Sequence, residues 1–287
     1  MSHDQRPLLE VRRLRVSRRR AQEPVLADAS FKLYPGYTAL IGPSAAGKTT
    51  LLRLLAGVYR PAHSHMVMAE NMTIGYVPES PGVYHRLSPR RFLMRTALWF
   101  GLGIPEATLR THRALDQMRL NDAADTPGRR LDEGQRRRLA LALAFVQGAN
   151  VVLLDEPTAT LDPRQRLAFW QDMYTWSQQA DGPKACLIAT HHLAEVDGYC
   201  QRVLVIDRGR TRFEGSVAHL KSRAQSHTYW SQESLSSPNE GAWLEYAWSL
   251  ADGYAILSDR PHPPSEWKPR TPSLWDGYVM ALRGRAR

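Results

Sequence analysis

An α/β fold on a mostly parallel sheet is predicted by three observations. Short apolar runs of strand length alternate with helical ones over residues 151–206. A glycine-rich loop, GPSAAGKTT at 42–50, joins an apolar run to a helical one. The run VVLL at 151–154 ends in two adjacent acids, Asp155 and Glu156, as a buried parallel strand does when its carboxyl edge faces a ligand.

The elements follow in order. Leu8, Glu10, Leu14 and Val16 form an interrupted alternation, and 26–33 resumes it before the turn at Pro35 and Gly36, so an antiparallel β subdomain leads in. Residues 37–41 make the strand before the glycine-rich loop and 51–56 the helix after it. The stretch 61–71 reads as irregular with at most a short strand, and 73–77 as a β-like run ended by Pro78. From about 89 to 146 the apolar spacing is helical, which predicts an inserted helical subdomain at about 80–147. Strands at 151–154, 185–189 and 202–206 then alternate with helices at 163–179 and 193–199. Near Lys221 the composition shifts to Ser, Gln, Trp and Pro, which divides the chain into 1–221 and a small C-terminal extension, 222–287, with strand at 243–258 and helix at 273–282.

A chain of 287 residues with 43% hydrophobic composition can bury one large core and a small appendage. No apolar run approaches the ~20 residues that cross a bilayer, and the first ten residues, MSHDQRPLLE, lack the apolar core of a secretory signal, so a cytoplasmic location is expected. The two cysteines, Cys186 and Cys200, lack metal-ligand spacing and read as packing residues in a reducing compartment. The formal charge of +10 is carried by arginine, with a cluster at Arg12, Arg13, Arg15, Arg18, Arg19 and Arg20 and only five lysines in the chain. A solvated surface, an anionic membrane face and a nucleic acid all remain open as its explanation.

The loop at 42–50 is specific. Gly42, Pro43, Ser44, Ala45, Ala46, Gly47, Lys48, Thr49 and Thr50 stand between strand and helix, where backbone N–H groups wrap phosphate oxygens. Lys48 reaches the β- and γ-phosphates and the Thr49 hydroxyl ligates Mg²⁺, which implies a nucleoside triphosphate. An ordinary capped helix requires neither residue. Asp155 is then placed for Mg²⁺ and Glu156 to polarise an attacking water. A terminal Asp-Glu pair alone would equally suit a turn or a helix cap.

With these come IGYVPE at 74–79, RLDEGQRRRLALALA at 130–144 and ATHHLAEV at 189–196. At about residues 8–220 the chain resembles the ATP-binding subunit of an ABC transporter. The resemblance implies a P-loop NTPase core, ATP and Mg²⁺ as cofactors, and hydrolysis by a head-to-tail dimer. It places Asp162 in the loop that crosses the dimer interface and His191, rather than His192, at the γ-phosphate. Glu79 stands where most of the family has Gln and still offers an oxygen to Mg²⁺ and the attacking water. The segment IGYVPESPGVYHRLSPRRFL at 74–93 and the tail TPSLWDGYVMAL at 271–282 are similar to the antibiotic-resistance and ABC-2 exporter branch. The partners implied are a separate transmembrane permease and a second ATP-binding subunit, identical or different, on the inner face of the cell membrane. No nucleic acid is expected.

Two departures stand out. The family's signature loop, usually Leu-Ser-Gly-Gly-Gln, is here Leu131, Asp132, Glu133, Gly134 and Gln135. Asp132 remains a good N-cap, but a carboxylate donates no hydrogen bond, and two added charges repel a triphosphate by about 1–4 kcal/mol each at ~4 Å. The expectation is weakened phosphate capping and reduced hydrolysis, with a partner subunit that supplies an intact loop as one remedy. The aromatic residue that the family stacks on adenine is also missing, and Arg19 or Arg20 stands in its place, either stacked on the base or solvated.

Overall fold

The computed structural model describes residues 6–17, 24–59, 63–80, 86–180, 182–232, 245–250, 253–258 and 263–283. Strand β1 (Leu9–Val16) pairs antiparallel with β2 (Leu26–Leu33), Leu9 opposite Leu33 and Val16 opposite Leu26. The interrupted alternation in β1 has a cause: Arg13 adopts φ 51°, and the register shifts between Val11 and Leu14, so both still reach the core. The irregular stretch that follows the first helix contains β4 (His63–Met68), which pairs antiparallel with the other edge of β1.

Strand β3 (Gly36–Ile41) leads through the glycine-rich loop into α1 (Lys48–Leu55). It is flanked in parallel by β7 (Ala185–Ala189) and β8 (Arg202–Asp207), and the sheet continues through β6 (Val151–Asp155) to β5 (Ile74–Val77). Every residue of β6 and β7 is buried, as apolar runs without alternation require in a sheet covered on both faces. Strand β9 (Arg210–Ser216) folds back antiparallel on β8 and joins β2. Among the described residues the nine-stranded order is β4-β1-β2-β9-β8-β3-β7-β6-β5.

Alternate residues feed two apolar layers. Val152 and Leu154 of β6 pack with the helical side, whereas Val151 and Leu153 pack with α1 and the antiparallel strands. The helical insert consists of α2 (Pro89–Trp99), α3 (Ile104–Gln117) and α4 (Glu133–Val146). Pro89 opens α2 at a position that needs no N–H, and Gly101 at φ 84° ends it. Helices α5 (Pro163–Ser177) and α6 (Leu193–Tyr199) complete the alternation.

Helix α7 (Val217–Ser222) runs through the composition shift near Lys221. A second sheet follows, ordered β11-β12-β10-β13 from β10 (Thr228–Ser231), β11 (Glu245–Leu250), β12 (Gly253–Ser258) and β13 (Lys268–Pro269). The last helix, α8 (Leu274–Arg283), returns to the main core: Leu274 and Ala281 share the apolar layer of Val203, Val205 and Leu220. A Cβ on Gly277 would stand 2.1 Å from the Leu220 carbonyl oxygen, so glycine permits this close approach. Ser273 precedes α8 and its Oγ accepts from Asp276 N–H at 3.3 Å, while buried Asp276 accepts from Ser273 N–H at 2.7 Å and pairs with Arg270 at 2.7 Å.

Candidate functional site

The glycine-rich loop is shaped by steric limits on both sides. A Cβ on Gly42 would lie 2.1 Å from the Ile206 carbonyl oxygen, and Gly47 takes φ 105°. Ala45 is also left-handed, at φ 61°. The Ala46 carbonyl accepts from Gly209 N–H at 3.0 Å, which pins the loop to the β8–β9 turn. Lys48 Nζ lies over the loop and donates to the carbonyl oxygens of Gly42 and Pro43 at 2.8 and 3.1 Å. Burial pushes its pKa down, against the opposing pull of Glu156 and Asp155. Residues 45–50 line a cleft of about 470 Å³ with Pro24, Val25 and Arg208.

Across the loop, Thr49 Oγ1 donates to Asp155 Oδ1 at 3.1 Å, and the Tyr76 hydroxyl donates to Oδ2 at 3.2 Å. Asp155 is 2% exposed. Burial raises its pKa, its hydrogen bonds with Thr49 and Tyr76 lower it, and the charge of Glu79 raises it further. Asp155 ends β6 opposite Ala189 of β7, so the next residue in each strand emerges at one edge. There Glu156 turns out of the sheet at φ 46°, its N–H donating to the Ala189 carbonyl at 2.9 Å. Its Oε2 lies 2.9 Å from His191 Nδ1. Burial raises the Glu156 pKa, while His191 and Lys48 lower it. His192, whose pKa burial lowers, lies beside His191 with ring centroids 4.1 Å apart and the rings tilted by 39°, and the Glu156 carboxylate pairs with His191.

The structure therefore brings Lys48, Thr49, Asp155, Glu156 and His191 together. Glu79 is exposed in the loop after β5 and acts on Asp155 through its charge. Residues 131–135 form a separate group. Asp132 Oδ1 accepts from Gln135 N–H at 2.7 Å, and Gln135 Oε1 accepts from Asp132 N–H at 3.0 Å, a complete capping box. Asp162 caps α5 in the same way with Gln165. Leu131 and Gly134 are buried, and a Cβ on Gly134 would come 3.5 Å from Gln165 Nε2, so the two helix N-termini stand side by side. Among the described residues, none of 131–135 is hydrogen-bonded or ion-paired to the glycine-rich loop. Glu133 is not an unbalanced charge: Arg136 Nη1 lies 3.2 Å and Arg137 Nε 3.7 Å from its carboxylate.

Arg19 and Arg20 lie outside the described residues. Sequence reasoning missed Tyr76 and Arg208. Tyr76 sits in a four-residue strand with nothing local to mark its acid partner. Arg208 sits in the turn between β8 and β9, where it and Gly209 have positive φ, 48° and 67°, and an Arg-Gly pair lacks the Asn-Gly signal that marks such turns in a sequence. Cys186 and Cys200 are buried and free, as expected of packing residues, and burial pushes the Cys200 thiol up to about 12.

Comparison with known proteins shows the family and the fold. The family described as ABC transporter matches residues 26–159. The chain is similar to a Nod factor export ATP-binding protein I of Ralstonia nicotianae, 34% identical over 232 residues that make up 75% of this chain and 68% of that one. It is similar to the ABC-type organic anion transporter ABCA8A of Mus musculus, 30% identical over 190 residues, 64% of this chain but 12% of the relative's length. A solved ATP-binding subunit of an ABC transporter superposes with TM-score 0.65 at 26% identity, covering 75% of this chain and 92% of the other.

Proposed function

The chain belongs to the ATP-binding subunits of ABC transporters, and from that membership we propose that it hydrolyses ATP to drive a separate membrane exporter. The observation that carries the reading is the convergence of Lys48, Thr49, Asp155, Glu156 and His191 at one edge of the parallel sheet. Backbone N–H groups between Ser44 and Thr50 present donors to the phosphates, and Lys48 exchanges its two loop carbonyls for phosphate oxygens. Thr49 and Asp155, already 3.1 Å apart, offer hard oxygen ligands for Mg²⁺, with Glu79 as a third. When bound, Mg²⁺ offsets the charge that develops on the β- and γ-phosphates. Glu156 accepts the proton of the attacking water, and His191 orients Glu156 and the γ-phosphate.

Export is supported by the similarity to the Nod factor export protein and by the segment at 74–93. No helix among the described residues is long and apolar enough to cross a membrane. The membrane-spanning part is assigned, from the resemblance, to a partner permease docked near the helical insert and Glu79. We read residues 1–221 as the ATP-binding domain and 222–287 as its extension. Two subunits would sandwich ATP, the 131–135 loop of each facing the other's glycine-rich loop. A mass measurement of the Glu156→Gln variant with Mg²⁺ and ATP tests this. The dimer is expected only with nucleotide, and a monomer under both conditions contradicts the sandwich.

One observation favours a second reading, an impaired subunit that regulates within a heterodimer. Asp132 provides an acceptor already committed to Gln135 where the family has a hydroxyl donor.

A further inference from the structure

Resting on the ATP-hydrolysing reading, we propose that Glu133 is a positioning residue that ties the N-terminus of α4 to the 157–162 loop through Thr160 and to the Glu79 loop through Arg137. The residue that departs from the family's glycine is thus a working part of this chain rather than a lesion in it.

The contacts are specific. Thr160 Oγ1 donates to Glu133 Oε1 at 3.2 Å. The same oxygen lies 3.7 Å from Arg137 Nε, while Arg136 occupies Oε2. Arg137 is only 2% exposed, and its Nη1 donates at 3.2 Å to the carbonyl oxygen of Pro78, the residue before Glu79. Neither its Nε nor its Nη2 has a hydrogen-bond partner among the described residues, so the link to Glu133 is an ion pair and not a hydrogen bond. A buried guanidinium so sparsely bonded depends on its nearest carboxylate, and removal of that partner leaves a buried charge uncompensated.

The 157–162 loop follows Glu156 directly and ends at Asp162. Its other side is held by fully buried Thr158, whose Oγ1 donates to Glu195 Oε2 at 2.7 Å, four residues beyond His191. The loop is thus gripped by a carboxylate on each flank, Glu195 from α6 and Glu133 from α4. A glycine at 133 has no side chain with which to make either link. With Glu133 present, the α4 N-terminus, the segment of Pro78 and Glu79 and the loop between Glu156 and Asp162 shift as one body. Any displacement of that segment then reaches the residue that activates water.

Steady-state ATP turnover and amide hydrogen exchange of the native chain, Glu133→Gly, Glu133→Gln, Thr160→Val and the Glu133→Gly/Thr160→Val double variant test this. Expected are a loss of kcat of about tenfold in Glu133→Gly and in Thr160→Val, with KM for ATP within about twofold. The double variant should be no worse than the weaker single, and Glu133→Gln, which keeps an oxygen that accepts from Thr160 but loses the charge beside Arg137, should fall between the native chain and Glu133→Gly in kcat. Exchange at 157–162 should quicken about tenfold in Glu133→Gly without nucleotide. Unchanged exchange there, additive losses in the double variant, or turnover in Glu133→Gly equal to or above native would overturn the tie. Absence of turnover in the native chain would instead overturn the ATPase reading, and the exchange rates alone would then decide the tie.

Discussion

Glu156 Oε2 and His191 Nδ1 lie 2.9 Å apart at the ends of two adjacent parallel strands. With Glu156 ionised, Nδ1–H donates to it, which leaves Nε2 as an acceptor for a water; a bond to a phosphate oxygen needs a ring that carries a proton on Nε2 as well. Glu156 is the less exposed partner, its side chain 15% accessible against 61% for His191. His191→Ala is therefore expected to lower kcat by about 10–100-fold while ATP affinity changes by less than about threefold, as measured by turnover and equilibrium binding.

The pH profile carries the same pair. Burial raises the Glu156 pKa from its ordinary 4.5, and the charge and hydrogen bond of His191 lower it again. A general base must be ionised, so turnover should fall as pH drops through the raised value, and the acid limb should lie above 4.5. His191→Ala removes the lowering influence, and its residual activity should show that limb at a higher pH than native. A limb that stays in place or moves to lower pH contradicts the pairing.

Asp155 illustrates a site that costs stability. Its pKa is raised by burial, so the stability tied to its protonation is full below the ordinary 3.8 and is lost as pH rises through the raised value. At neutral pH an ionised, nearly inaccessible carboxylate disfavours folding. Asp155→Asn keeps an acceptor for Thr49 and removes the charge, so Tm of the nucleotide-free chain should rise by about 2–4 °C at pH 7, on the order of 1 kcal/mol. Below pH 3.8 that gain should vanish. Mg²⁺-dependent ATP binding should weaken by at least about tenfold in the same variant.

Position 132 separates capping of the helix from capping of phosphate. Serine is as good an N-cap as aspartate, so Asp132→Ser should leave Tm within about 2 °C. It also adds a donor and removes a negative charge where the resemblance places a γ-phosphate, and turnover should rise about tenfold. Combined with the loss expected for Glu133→Gly, the two signature departures should act in opposite directions, which a double restoration alone would hide.

Much of the site was legible because it rests on local chemistry. The glycine-rich loop, the acids after a four-residue apolar run and the histidine after β7 are set by positions within one strand, and the structure brings them together as the sheet requires. Strand β9 escaped the reading because RTRFEGS buries only Phe213 and Gly215 and turns at Arg208 and Gly209 rather than at an Asn-Gly pair. The break in β1 was visible as a lapse in alternation, but only the left-handed Arg13 explains it. The bonds of Tyr76 with Asp155 and of Thr160 with Glu133 span 79 and 27 residues, and no periodicity encodes such pairs. The composition shift near Lys221 likewise conceals that α7, which spans it, and α8 beyond it feed one core through Leu220 and Leu274.

The most direct test of the central claim is steady-state ATP turnover by the purified chain beside Glu156→Gln, with ATP binding measured on both. The native chain should hydrolyse ATP, and Glu156→Gln should retain at most about one hundredth of that rate with affinity within about threefold. Equal turnover in the two proteins, or ATP binding without turnover in the native chain, would contradict Glu156 as the base of a transport ATPase.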